Sequence, residues 1–240
     1  MLPSRPSRVP QGFSLMEILT AIAIIAICSA MIFPYVGKLR DKATSAGCVA
    51  NLRASHVALS AFAADAGSWP SVNMNHETTP TGEGTQLWFV PLVRDQYVDT
   101  SAVRIGGVNC LQASSLLCPA NKILKKEPYP WTSAPYPVYP SYAMNVYWGE
   151  RTVSPQRVPI GAVVNGGAIL LIDSTVNGSR SIYATDPTHL RWDSANCKIP
   201  KDIHPEGAHA LLANGSVISV SPASHPDIQD PRYWNPRYQK

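Results

Sequence analysis

The chain is short of charge. Asp, Glu, Lys and Arg make up 15% of its 240 residues, against roughly 25% in ordinary soluble domains. Twenty basic side chains against sixteen acidic ones leave a net charge of +4, too weak and too scattered to form a basic face for nucleic acid. Signatures of catalysis are missing too. There is no Cys-x-x-Cys or His-Glu-x-x-His, hence no zinc signature, and no Gly-x-Ser-x-Gly or phosphate-cradling glycine loop. His76 with Glu77, and His189 with Asp193, are short-range pairs of a kind common in loops, and Asp173, Asp186 and Asp193 lack calcium-loop spacing. No metal, no cofactor and no catalytic residue is therefore expected. Twenty-two prolines and fifteen glycines exclude a mostly helical protein, a coiled coil and collagen.

What is present is concentrated at the start. Residues 18–33 read ILTAIAIIAICSAMIF, with no charge, Gly or Pro, and residues 13–17 extend this run with Glu17 as its one ionisable group. As a helix, residues 13–33 reach about 30 Å, the thickness of a bilayer's hydrocarbon core. The preceding MLPSRPSRVPQG carries Arg5 and Arg8 and no acid, like the head of a secretory signal. Two features oppose cleavage after the apolar run: its length, and the bulky Phe33-Pro34-Tyr35 where small residues are needed. A retained single span is expected. Charge alone does not orient it, because Lys38, Arg40 and Lys42, offset by Asp41, balance the leader's arginines.

Glu17 requires a reason. A carboxylate near the end of a membrane helix costs a few kcal/mol unless it snorkels or finds a partner; an interfacial position aided by the helix dipole is the plain alternative. Gly12-Phe13-Ser14-Leu15-Met16-Glu17 followed by an apolar run resembles the processing site of type IV pilins and of type II secretion pseudopilins. The resemblance implies that a prepilin peptidase cuts between Gly12 and Phe13 on the cytoplasmic side and methylates the new amine of Phe13. It makes Glu17 the family's assembly glutamate and Pro34 its helix-loosening proline. In a packed filament the Glu17 carboxylate meets the amine of a neighbouring subunit, neutralising two charges that are expensive in hydrocarbon. Ala21, Ala23, Ala26, Ser29 and Ala30 allow close helix approach.

After Pro34 the pattern continues as a helix. Val49, Leu52, Leu59 and Phe62 form a stripe at spacings of three and four, with His56 on the same face. Gly67 and Pro70 end it, while Gly37 and Gly47 predict a bend or a melted turn. Joined to the span, residues 13–66 make one rod of about 80 Å, whose second half covers a sheet. The expected fold is α+β and pilin-like, with a long N-terminal helix, transmembrane in front and packed behind on a C-terminal antiparallel sheet. Its divisions are a leader (1–12), a transmembrane helix (13–34), the extramembrane half-helix (35–66), an irregular Pro/aromatic-rich region (67–165) and a C-terminal β region (166–240).

Residues 119–159 hold eight prolines interleaved with Tyr129, Trp131, Tyr136, Tyr139, Tyr142, Tyr147 and Trp148. These rings either form a binding surface or pack the prolines onto the core, the commoner use of aromatics. Further on, residues 168–173 read as a buried strand. Residues 209–213 and 216–220 flank Asn214-Gly215, which predicts a two-residue type I′ hairpin with Leu212 opposite Val217 and Leu211 opposite Ile218. Cys48-x-x-Asn51-Leu52-Arg53, Leu117-Cys118-Pro119, residues 141–145 and His204-x9-Asn214-Gly215 resemble landmarks of a pseudopilin-like subgroup whose last element is His-x9-Asp-Gly. Asn in place of Asp favours a turn residue over a ligand or charge partner for His204.

Of five cysteines, Cys28 lies in the span and stays free. Cys48, Cys110, Cys118 and Cys197 suggest two disulfides among three connectivities; the short loop favours Cys110 with Cys118, leaving Cys48 with Cys197. The expected protein is a non-enzymatic pseudopilin-like filament subunit in type II-like secretion. It would sit singly across the inner membrane, its C-terminal domain outside the cytoplasm. Its implied partners are the prepilin peptidase, other pilin-like subunits and an inner-membrane assembly platform. The alternatives are a membrane-tethered binding module that uses the helix only as an anchor, and an exported hydrolase, for which no catalytic constellation is found.

Overall fold

The computed structural model describes residues 14–72, 87–122, 126–128, 135–149, 157–175 and 187–238. The chain falls into two compact units, residues 1–40 and 41–240. Helix α1 (Leu15–Ala66) contributes to both and continues through Pro34, Gly37 and Gly47. The expected melted turn is absent, because helix-forming neighbours on both sides outweigh the modest penalty of a single glycine.

In the first unit no side chain from residue 15 to 39 is buried. Leu15, Ile18, Ile22, Ile25 and Phe33 are each more than half exposed. A helix apolar on all sides is stable only against lipid or other helices, and this one is long and apolar enough to cross a membrane.

The second unit is built on one face of α1. Ser45, Cys48, Leu52, Ser55, Leu59 and Phe62, joined by Ala58 and Ala63, are its buried residues, repeating every three or four positions. Val49, placed on the stripe by its sequence spacing, is only half-buried; small and polar residues hold the centre instead. Next come α2 (Phe89–Arg94), β1 (Thr100–Ile105), β2 (Val108–Ala113) and β3 (Tyr136–Pro137), the last three forming a sheet in that order. Ile105 pairs with Val108 across Gly106-Gly107, both at positive φ, as a two-residue type I′ turn demands. This hairpin lies inside the stretch expected to be irregular. Pro137 is confined to the edge strand β3, the place a sheet tolerates proline.

The main sheet has the order β4 (Tyr142–Met144), β5 (Ile169–Asp173), β6 (Ala208–Leu212), β7 (Val217–Val220), antiparallel throughout. Its strands alternate between two cores. Tyr142, Met144, Leu211 and Ala213 join Leu52, Leu59 and Phe62 of α1. Ala143, Ala208, Ala210 and Leu212 face Leu190, Ile199, Ile228 and Trp234. A register shift between Ile169 and Leu171 is the mark of a bulge, and it lets Leu170 and Leu171 both join the α1 side. The observed layout is thus the α+β arrangement expected, a long N-terminal helix followed by a domain with an antiparallel sheet.

The last hairpin departs from its expected register. Leu211 pairs with Val217 and Ala210 with Ile218, one residue off the two-residue-loop pairing. Asn214 avoids positive φ, which only Gly215 adopts here. The Asn214 side chain instead accepts from the Ser216 amide at 3.0 Å and its hydroxyl at 2.6 Å, while the Gly215 amide donates to Leu212 O. That local hydrogen bonding makes a three-residue loop ending in a left-handed glycine.

Asn145 closes the domain. Fully buried, it donates to Ile169 O at 2.7 Å and Trp234 O at 2.6 Å, and accepts from the Tyr147 amide at 3.0 Å. Tyr142 and Trp148 are buried as well, so these aromatics serve packing. Tyr129 and Trp131 lie outside the described residues.

The cysteine pairing corrects the expectation. Cys48 bonds to Cys118, with Cα atoms 4.9 Å apart, and Cys28, Cys110 and Cys197 are free. Cys110 lies within strand β2, and the remaining strand and the turn at residues 114–116 carry the chain away from it before Cys118 reaches α1. Cys197 packs with the core on the opposite side of the main sheet from Cys48. Non-reducing peptide mapping is expected to yield one cross-linked pair, Cys48 with Cys118, and free thiols at Cys110 and Cys197. Because the bridge closes a separation of 70 residues, Cys118→Ser should lower unfolding free energy by about 2–4 kcal/mol in a denaturant titration.

Candidate functional site

Two polar groups stand apart from the packing. The first is the start of α1. The Ser14 amide donates to Glu17 Oε2 at 2.9 Å, and the amides of Glu17 and Ile18 donate to Ser14 O. Ser14-x-x-Glu17 thus forms the carboxylate half of a capping box. Gly12 and Phe13, the expected cleavage pair, lie outside the described residues. Pro34 sits within the helix, where it supplies no amide to the hydrogen-bond ladder.

The subgroup landmarks converge on the domain. Asn51 Nδ2 donates to Leu117 O at 2.7 Å, and Ser55 Oγ to Ser115 O at 2.8 Å, so the turn carrying Cys118 and Pro119 is fastened to α1 beside the disulfide. Leu52 is fully buried, and Arg53 is exposed on the helix. His204 and Asn214-Gly215 do not meet, because they occupy opposite ends of β6. The turn glycine lies near another histidine, His56, whose Nε2 is 3.1 Å from Ala213 O. Asn214 acts as a turn residue, and the partner of His204 comes from elsewhere.

That partner is Asp173, the last residue of β5. Its Oδ2 accepts from the His209 amide at 2.8 Å and lies 3.2 Å from His204 Nε2. Both side chains, of Asp173 and His204, are completely buried. The rings of His204 and His209 stack with centroids 4.0 Å apart. Ser45 Oγ of α1 is 3.3 Å from His209 Nε2, and Cys118 Sγ is 3.4 Å from His204 Nε2. Burial, then the neighbouring His204, lower the His209 pKa, against an upward pull from Asp173 and Glu206. Burial also holds the Tyr142 phenol well above its ordinary value, helped by Asp173.

Three atoms of this cluster, Asp173 Oδ1, His204 Nδ1 and His209 Nδ1, are buried without a hydrogen-bond partner among the described residues, each such group costing about 1–3 kcal/mol. One donor atom from each of the three residues lies within 4.8 Å of the others, and the sulfurs of Cys48 and Cys118 group similarly with His204. The cluster is not a Ser-His-Asp relay. Asp173 holds the main chain of His209 rather than its ring, so nothing orients that imidazole towards Ser45 as the relay requires. In the sequence, Asp173 stands out only as an acid without calcium-loop spacing and His209 only as a strand residue. The available signal was an acid ending an otherwise apolar strand, which needs a partner once buried. Of the other metal pairs considered, Asp193 is engaged by Arg191 at 2.6 Å; His76, Glu77 and Asp186 lie outside the described residues.

A family model described as the prokaryotic N-terminal methylation motif matches residues 8–33. No curated protein and no solved structure matches the chain significantly. The chain therefore carries the N-terminal motif of type IV pilin-like proteins, which indicates processing by a prepilin peptidase. With its apolar helix, the motif points to a membrane-anchored, single-pass protein.

Gly207 places His209 relative to His204. Its φ is +103°, and a Cβ there would stand 2.3 Å from Val220 O. Gly207→Ala is expected to destabilise the fold by at least about 2 kcal/mol, seen as a lowered midpoint in chemical denaturation with the slope unchanged.

Proposed function

We propose that this chain is a pseudopilin-like filament subunit of a type II-like secretion machine. It is cut between Gly12 and Phe13 and methylated on the Phe13 amine. The domain from Asp41 onward stands outside the cytoplasm, in the periplasm or at the cell surface, and the role is structural rather than enzymatic. The observation that carries this reading is the methylation-motif match at residues 8–33. It is supported by a helix whose apolar side chains from Leu15 to Leu39 are exposed among the described residues. Such a surface suits lateral packing with like helices as well as lipid.

In this reading Glu17 has two tasks. Within its own chain it caps Ser14. A carboxylate accepts more than one donor, so it also receives the cationic amine of a neighbouring Phe13 during assembly. The partners are the peptidase, other pilin-like subunits and an inner-membrane assembly platform.

Intact-mass analysis of the membrane-extracted protein, made with its peptidase present, should show a chain beginning at N-methylated Phe13. A chain still beginning at Met1 would end the proposal. Glu17→Ala should leave membrane insertion intact and reduce subunit–subunit crosslinking through α1 by about tenfold or more, the loss of one charge pair in a low-dielectric setting. Crosslinking at wild-type yield, or a protein that stays with membranes and never sediments with sheared fibres, would favour a simple tethered module.

A further inference from the structure

We infer that Asp173, His204 and His209 form a binding site for a single divalent transition-metal ion, with zinc as its natural occupant. The inference stands on the geometry of the second unit and does not depend on whether the chain assembles into filaments. Two imidazoles and one carboxylate are a donor set that suits zinc and leaves a fourth position open. In a tetrahedral site with bonds of about 2.0–2.1 Å, neighbouring donors stand about 3.3 Å apart. His204 Nε2 and Asp173 Oδ2 are 3.2 Å apart, and His209 offers a donor within 4.8 Å of the other two.

A purely structural Asp–His pair accounts for less. It leaves Asp173 Oδ1 and His209 Nδ1 buried without partners among the described residues, where native interiors leave few such groups. An ion between His204 Nε2 and Asp173 Oδ2 also draws a donor of the His209 ring into the same bonding arrangement. The sulfurs of Cys48 and Cys118 are joined to each other, which removes them as thiolate ligands and leaves the O/N set as the site.

Of the three residues, His209 borders open space. A cavity of about 490 Å³ between α1 and the β6–β7 hairpin is lined by Lys42, Ser45, Arg53, Glu206, His209 and Ser219. Its charges are mixed, so selectivity rests on the imidazole donors rather than on a general attraction of cations. Calcium, which takes six to eight oxygen ligands, is a poor match.

The test uses the full chain in detergent, stripped with EDTA, desalted and kept free of reductant so that the cystine stays intact. On titration with zinc chloride, one equivalent should bind and raise the melting temperature, and calcium chloride should do neither. Cobalt chloride should give the visible d–d bands of a four-coordinate site. Asp173→Asn and His209→Gln should each weaken zinc binding by at least about 100-fold, since even outer-shell changes cost 10–100-fold; near-UV circular dichroism checks that both are folded. X-ray absorption on the zinc-loaded wild-type protein needs no variant and should show nitrogen and oxygen neighbours only. The inference is overturned if wild-type protein binds no zinc, if binding survives both substitutions, if it appears only after the disulfide is reduced, or if sulfur enters the metal's shell.

Discussion

A helix packs closely on a sheet only where its side chains let the two backbones approach, and α1 meets that need with small residues. Ser45, Cys48, Ser55, Ala58 and Ala63 share the buried face with Leu52, Leu59 and Phe62. Several of the small residues also bond outward. Ser55 reaches Ser115 O, Ser45 approaches His209, and Cys48 is crosslinked to Cys118. The seam therefore combines apolar burial, which is non-directional, with contacts that specify a single axial position. The turn at residues 114–119, the main sheet and the buried Asp173 cluster all take their places from it.

How much of this could be read beforehand depends on the kind of signal. Periodicity found the helix and the apolar strands, because burial on one face leaves a period that needs no knowledge of partners. It missed the centre of the α1 face, since Ser45 and Ser55 do not look buried in a list of apolar residues. Turn chemistry located the last hairpin but not its loop type, and the Gly106-Gly107 turn falls in a stretch expected to be irregular. Gly106-Gly107 forms the type I′ turn, because glycine enters positive φ freely. At Asn214-Gly215 the asparagine satisfies Ser216 locally, and the loop gains a residue. Cysteine spacing gave no access to the pairing. Proximity in sequence favoured Cys110 with Cys118, but a strand and a turn between them direct the two apart.

The polar landmarks separate into those that hold the fold and those that remain unspent. Asn51, Asn145 and Asn214 each complete hydrogen bonds that a main chain would otherwise lack. Asp173, His204 and His209 are different, since a group this deeply buried keeps bonding capacity that no neighbour uses. The methylation motif lies wholly within residues 8–33 and this cluster wholly beyond residue 172, so the two features are open to separate experiments.

The arrangement at Ser14 and Glu17 has a bearing on how the chain tolerates being shortened. A new helix end ordinarily frays, because its leading amides lose whatever had been capping them. Here the closing bonds run among residues 14, 17 and 18, so the stop at the front edge is written downstream of any cut at residue 12. Trimming the head would leave the first coil of the rod already sealed by bonds of its own.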